Sequence, residues 1–180
     1  MVSHQRIREM PIDQQVKAQL FKARVVATDD IARLVPSISR NELFEYLQQC
    51  AHLVQGVWVF QSEFLYHDLT AAHSITPGKL DEHRADMWRC ARDLALCLLD
   101  AGRTVTRSLL TRCFQINSRD AEEILSSFAV PGNRSWKLRI TPDPLFLESK
   151  LYTYRSFAKP MVDVHTLRQS RAMSDGGMRR

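Results

Sequence analysis

A pattern of apolar residues recurs along this chain at an offset of 78, readable without gaps. Val16, Leu20 and Ala23 fall on Leu94, Leu98 and Ala101; Thr28 falls on Thr106, and Ile31 on Leu109. Ile38 then falls on Ile116, Tyr46 and Leu47 on Ile124 and Leu125, and Cys50 on Phe128. Trp58 matches Trp136, and Phe60 matches Leu138. Few identities are involved. What recurs is apolar class at core-like spacing, which is the mark of a duplicated unit.

Each copy carries the same local grammar. In the first, Ile12, Val16, Gln19, Leu20 and Ala23 make a helical stripe. Val25 to Ala27 is a short β-prone stretch, and Thr28 is placed to cap a second helix bearing Ile31, Leu34 and Val35. Pro36 ends that helix. Ser39-Arg40-Asn41-Glu42 has capping-box spacing and opens a third helix with Leu43, Tyr46, Leu47 and Cys50 on its apolar face. His52 to Val54, a Gln55-Gly56 turn and Val57 to Gln61 read as a hairpin. In the second copy Met87, Cys90, Ala91, Leu94 and Leu98 form the stripe, which Gly102 stops. Thr104-Val105 is the short strand, Thr106 caps Ser108 to Phe114, and Asn117 or Ser118 caps a helix running to Phe128. Ala129-Val130, a Pro131-Gly132-Asn133 turn and Trp136 to Thr141 complete a second hairpin.

Helix, short strand, two helices and a hairpin is the order of a winged helix, with the hairpin as the wing. The expected fold is mainly α with small β-hairpins: two tandem winged-helix modules, over residues 10–66 and 81–142. Residues 67–80 read as a linker, and 143–180 as a C-terminal segment ending in a basic, partly disordered tail. Modules this small sit near the lower limit for an independent core, so the two are expected to pack together.

Charge and cysteine usage narrow the function. Residues 1–149 carry 18 Lys/Arg and 18 Asp/Glu, whereas residues 150–180 carry seven and two. The excess of +5 therefore belongs to the tail, and the balanced body does not advertise a DNA-binding surface. No run approaches the roughly 18 apolar residues of a membrane span, and Met1 to Met10 has no secretory apolar core. Cys50, Cys90, Cys97 and Cys113 form no CxxC pair and read as small core hydrophobes in a reducing compartment, cytosolic or nuclear.

Candidate sites are few. The third helices offer Arg40, Glu42 and Glu45 in copy one and Arg119, Asp120, Glu122 and Glu123 in copy two, a net acidic display that would meet phosphate with like charge. The first wing tip has no cation. In the second wing, Arg134, Lys137 and Arg139 flank Trp136, a set suited to phosphate contact. The same strand, by period-two alternation, points Trp136 and Leu138 inward and the two cations outward, which is the favoured reading. Trp58 and Trp88 read as core or inter-module packing. Arg89, Arg92 and Asp93 lie within about one helical turn, either a grip for an acidic partner or, as the favoured reading, a solvated face with local ion pairs. No catalytic, metal or cofactor constellation is legible: Pro77-Gly78-Lys79 lacks the upstream glycine of a phosphate loop, and the histidines are scattered.

Several segments carry a resemblance. Val57-Trp58-Val59-Phe60-Gln61-Ser62-Glu63-Phe64-Leu65-Tyr66, then Arg89-Cys90-Ala91-Arg92-Asp93, Val105-Thr106-Arg107, the Asp120 to Leu125 helix and Ala129-Val130 follow one another in order and spacing over about residues 10–150. Together they resemble the winged-helix region of the RNA polymerase III-specific subunit five family. That resemblance implies a nuclear, non-catalytic subunit whose partners are other RNA polymerase III subunits, without small-molecule ligand or membrane. In the family this subunit pairs with subunit four through a β-barrel that precedes the winged helices and serves initiation, termination and reinitiation. Nothing here matches the barrel, so a fragment or a shortened homologue is expected, and the pairing is carried to no residue. Two rival readings remain: a nucleic-acid-binding module that uses the second wing and basic tail, and an adaptor of another complex.

Overall fold

The repeat reappears as a repeat of elements. A computed structural model describes residues 7–66 and 82–154; the expected linker and the basic end of the tail lie outside the described residues. In the first half, α1 (Ile12–Ala23) buries Gln15, Val16, Gln19 and Leu20, one face of a 3.6-residue period. It stops at Arg24, whose φ of 66° takes the backbone out of the helix. Strand β1 (Val25–Val26) follows, then α2 (Thr28–Leu34), α3 (Arg40–Cys50) and a hairpin of β2 (Ala51–Val54) and β3 (Val57–Phe60). Gln55 and Gly56 both have positive φ, as a two-residue hairpin turn with the right twist requires. The sheet order is β1-β3-β2, antiparallel throughout, with Val26 opposite Trp58 and Trp58 opposite Leu53. A short helix, α4 (Ser62–Leu65), ends this half.

The second half starts with α5 (Glu82–Asp100), followed by α6 (Arg107–Phe114), α7 (Ser118–Ser126), the hairpin of β4 (Ala129–Pro131) and β5 (Trp136–Leu138), and α8 (Pro144–Tyr154). Helix α5 ends in a left-handed Gly102, where Gly102 N–H donates to Leu99 C=O and Arg103 N–H to Leu98 C=O. The fold is mainly helical with small antiparallel hairpins.

Capping follows the sequence at three of four sites. Ser39 accepts from Glu42 N–H at 3.3 Å while the Glu42 carboxylate accepts from Ser39 N–H at 2.9 Å, a complete capping box. Thr106 accepts from Leu109 N–H, and Asn117 rather than Ser118 accepts from Asp120 N–H. Thr28 differs. It is buried as the first residue of α2, and its hydroxyl accepts the indole N–H of Trp58 at 3.0 Å. A buried indole donor is costly to leave unmet, and that demand outranks the cap.

Two further expectations are corrected. The buried face of α5 is Ala85, Trp88, Ala91, Arg92, Ala95, Leu96 and Leu99, while Met87, Cys90, Leu94 and Leu98 are only half-buried. The helix is wedged between the two halves, so small residues and an arginine face inward where the most hydrophobic ones were expected. Thr104-Val105 does not form a ladder strand. Val105 C=O accepts from Trp136 N–H at 2.9 Å, and the second sheet consists of β4 and β5 alone.

A single apolar cluster runs through both halves, from Val16 and Leu20 through Trp58, Tyr66 and Trp88 to Leu125, Phe128 and Leu138. The Tyr66 and Trp88 rings meet edge to face at 5.6 Å across the junction. Cys50 is buried and its thiol is pushed up to about 12 by desolvation, which makes it a poor nucleophile. No group of three His, Cys, Asp or Glu among the described residues could hold a metal, and none of their helices is long and apolar enough to cross a membrane.

Burial also holds the His52 imidazole below its ordinary pKa of 6.5, with Asp93 and Glu63 opposing the shift. Below 6.5 the unfolded chain takes up a proton that the folded chain resists. The contribution of His52 is therefore fully present above pH 6.5 and is lost as pH falls towards the lowered folded value. The urea midpoint is expected to decline just below pH 6.5, and His52→Gln to remove that part of the slope. Equal slopes for both proteins would refute the assignment.

Candidate functional site

Several charged residues of α3 and α7 are engaged within the chain. On α3, Arg40 pairs with Asp29 at 2.7 Å and Glu42 belongs to the capping box. Phe44 turns towards Trp58 and towards Phe146 of α8, with centroids 6.2 and 5.9 Å away. On α7, Asp120 is buried and accepts from Arg84 at 2.6 Å, while Glu122 pairs with Arg107 at 2.6 Å.

The tip of the first hairpin is used inside the chain. Gln55 N–H donates to the Asp100 carboxylate at 2.9 Å, and Gln55 C=O accepts from Asp143 N–H at 2.9 Å. The Gln55 side-chain amide also donates to Leu99 C=O. Gly56 lies so close to Asp143 that a β-carbon there would stand 1.9 Å from its carbonyl oxygen. The tip thus clasps the end of α5 and the start of α8.

Arg92 departs most from expectation. A solvated face was expected for Arg89, Arg92 and Asp93, yet Arg92 is 0% exposed. Its guanidinium donates to Phe60 C=O at 2.8 Å, Ser62 Oγ at 3.0 Å and Ser127 Oγ at 3.0 Å, and lies 5.3 Å from the Phe128 ring centroid. Ser62 in turn donates to the Asp93 carboxylate at 2.5 Å. The counter-charge reaches Arg92 through a hydroxyl, and one cation ties β3 and α4 to α7. Burial lowers the pKa of Arg92, opposed by Tyr66 and Asp93. Arg89 stays at the rim, half-buried, paired with Asp86 at 3.1 Å.

The second hairpin follows the alternation. Trp136 and Leu138 are buried, and Lys137 and Arg139 are exposed, as is Arg134 at the tip. Arg139 also donates to Ser126 C=O. Between this hairpin and the segment after α5 lies an open cleft of about 510 Å³, lined by the exposed Arg103, Lys137 and Arg139 and by the more buried Trp136, Leu138 and Ile140. The structure brings together Lys137 and Arg139 of the predicted set, and adds Arg103. Arg134 does not line the cleft, Arg89 is at the junction rim, and Arg92 is inside the junction. Arg103 was missed because it follows a helix stop and has no charged neighbour. The available signal was the repeat itself, since Arg103-Thr104 stand where the first copy has Val25-Val26.

Comparison with known proteins identifies the family. The family model described as RPC5 protein matches residues 1–158. The DNA-directed RNA polymerase III subunit RPC5 of Homo sapiens is 26% identical over 151 residues, and that of Mus musculus is 25% identical over the same length. Each match covers 82% of this chain and 20% of the relative, so the chain spans about a fifth of the length of these relatives. The chain belongs to the RPC5 protein family.

Proposed function

We propose that this chain is a non-catalytic, nuclear part of RNA polymerase III, acting in small-RNA transcription as a pair of winged-helix modules (residues 10–66 and 81–142) that dock on other subunits through protein contacts. The relatives' name, a subunit of DNA-directed RNA polymerase III, supports the assembly. The observation that carries the docking mode is the state of the DNA-reading parts. Arg40, Glu42, Asp120 and Glu122 of the third helices are engaged in a cap or in ion pairs, and the first wing tip is clasped by the second half. A winged helix that reads DNA needs those surfaces free and cationic.

Tagged purification of this chain from its own cells, followed by mass spectrometry, tests the reading. Co-recovery of RNA polymerase III subunits is the expected result. Clean recovery without them, under conditions that keep the enzyme intact, would sink it. The exposed Arg134, Lys137 and Arg139 keep one rival in view, non-specific nucleic-acid contact by the second wing. That rival requires duplex affinity falling steeply with salt and weakened by reversing those charges. A flat or absent dependence excludes it.

A further inference from the structure

The two copies differ at one sheet edge. In the first, Phe60 N–H donates to Arg24 C=O at 3.0 Å and β1 pairs alongside β3. The equivalent donor and acceptor in the second copy, at the offset of 78, are Leu138 N–H and Gly102 C=O. Among the described residues that bond is absent, and Trp136 N–H alone is held, by Val105 C=O. The ladder to β4 uses the other side of the strand. Arg139 N–H reaches Phe128 C=O, and Gly132 N–H reaches Ser135 C=O, so residues 137 and 139 face β4 while 136 and 138 face away. The space left open is the cleft between residues 102–104 and β5.

We propose that this cleft takes an extended, acidic peptide segment of a partner protein, which adds as a strand to the open edge of β5. Main-chain pairing to Leu138 would supply the register, as in other strand-addition sites. The base, with Trp136, Leu138 and Ile140, suits apolar side chains at every second position. The rim selects charge: Arg103, Lys137 and Arg139 line the cleft and no carboxylate does. The nearby Asp100 and Asp143 carboxylates are engaged, by Gln55 N–H and by Phe146 N–H. The chain's own end from residue 150 onward, with seven basic residues and two acidic, has the wrong sign for this rim. The inference rests on the protein-docking reading above, but it is tested without the polymerase.

The whole chain is titrated with three labelled hexapeptides: alternating valine and glutamate, alternating valine and lysine, and the first with its valine nitrogens methylated. Fluorescence anisotropy reads affinity, and amide chemical shifts read location. The glutamate peptide is expected to bind about tenfold tighter than either of the others and to move the Leu138 amide and Trp136 indole signals. Arg103→Glu with Lys137→Glu, both exposed positions, is expected to weaken it about tenfold while circular dichroism is unchanged. Absence of binding at millimolar peptide overturns the proposal. So does binding that leaves Leu138 unmoved, or that is insensitive to methylation. A single-stranded oligonucleotide that displaces the glutamate peptide and moves the same signals more tightly would assign the cleft to nucleic acid instead. Failure here with polymerase still co-purifying would leave the docking reading intact and this cleft without a role in it.

Discussion

Arg92→Ala is expected to destabilise the chain by about 4 kcal/mol. The guanidinium answers a buried backbone carbonyl, Phe60 C=O, and the hydroxyls of Ser62 and Ser127. Alanine leaves the carbonyl without a donor and opens a void against Phe128. Arg92→Met refills much of the volume yet supplies no donor, so about 2 kcal/mol of the loss should remain. Arg92→Lys keeps the charge, but one ammonium cannot reproduce a planar fork across three acceptors, and it should fall between the other two. Urea unfolding monitored by circular dichroism measures all three. A loss under about 1 kcal/mol for alanine would mean that the buried cation contributes no more than a surface group. Because the acceptors come from both halves, a split of the transition into two phases is the expected companion of the loss.

Gly56→Ala should cost about 3 kcal/mol, by a different route. At φ 85° alanine is strained, and its β-carbon would meet the Asp143 carbonyl oxygen at 1.9 Å. Gly102 separates these causes. Its φ of 67° imposes the same kind of strain, but nothing lies within 4 Å of an added β-carbon. Gly102→Ala is therefore expected to cost about 1 kcal/mol, and the difference between the two variants isolates the clash. If the tip instead lets go of Asp143, amide exchange at Gln55 and Asp143 should accelerate while the global midpoint moves less. Equal losses at the two glycines would refute the docking of the tip.

Elements whose cause is local were legible in the sequence. Ser39 caps in a capping box completed by Glu42, Asn117 caps by accepting the backbone N–H three residues on, and Gln55-Gly56 turns because two positive φ angles are needed there. The alternation Trp136, Lys137, Leu138, Arg139 settled which side of β5 is inside. What stayed hidden depends on a second element. Arg92 has the composition of a solvated residue, and only the arrival of Phe60, Ser62 and Ser127 makes it internal. Thr28 has the composition of a cap, and Trp58, thirty residues on, claims it. The stripe of α5 was misread for a related reason. A helix packed on two sides buries alanines, and hydrophobicity alone ranks Met87 and Leu98 above Ala85 and Ala95. Of the cleft, two cations were legible and the open edge was not, although the exchange of Val25-Val26 for Arg103-Thr104 is written in the repeat.

The clasp of the first hairpin on the second half has a consequence for symmetry. Two copies of one unit can meet face to face, each giving the other the same contact, or head to tail, giving different ones. Here the tip at Gln55-Gly56 holds Leu99 and Asp100, whose counterparts in the first copy are Phe21 and Lys22. The reciprocal contact is not made: Gly132, Asn133 and Arg134 at the second tip are exposed, and so is Phe21. The pair is thus polar: the first tip is engaged by the second half, whereas the second tip is exposed. A face-to-face pair would be closed. This one is directional: the contact is made once, by the first hairpin on the second half, and is not returned by the second hairpin.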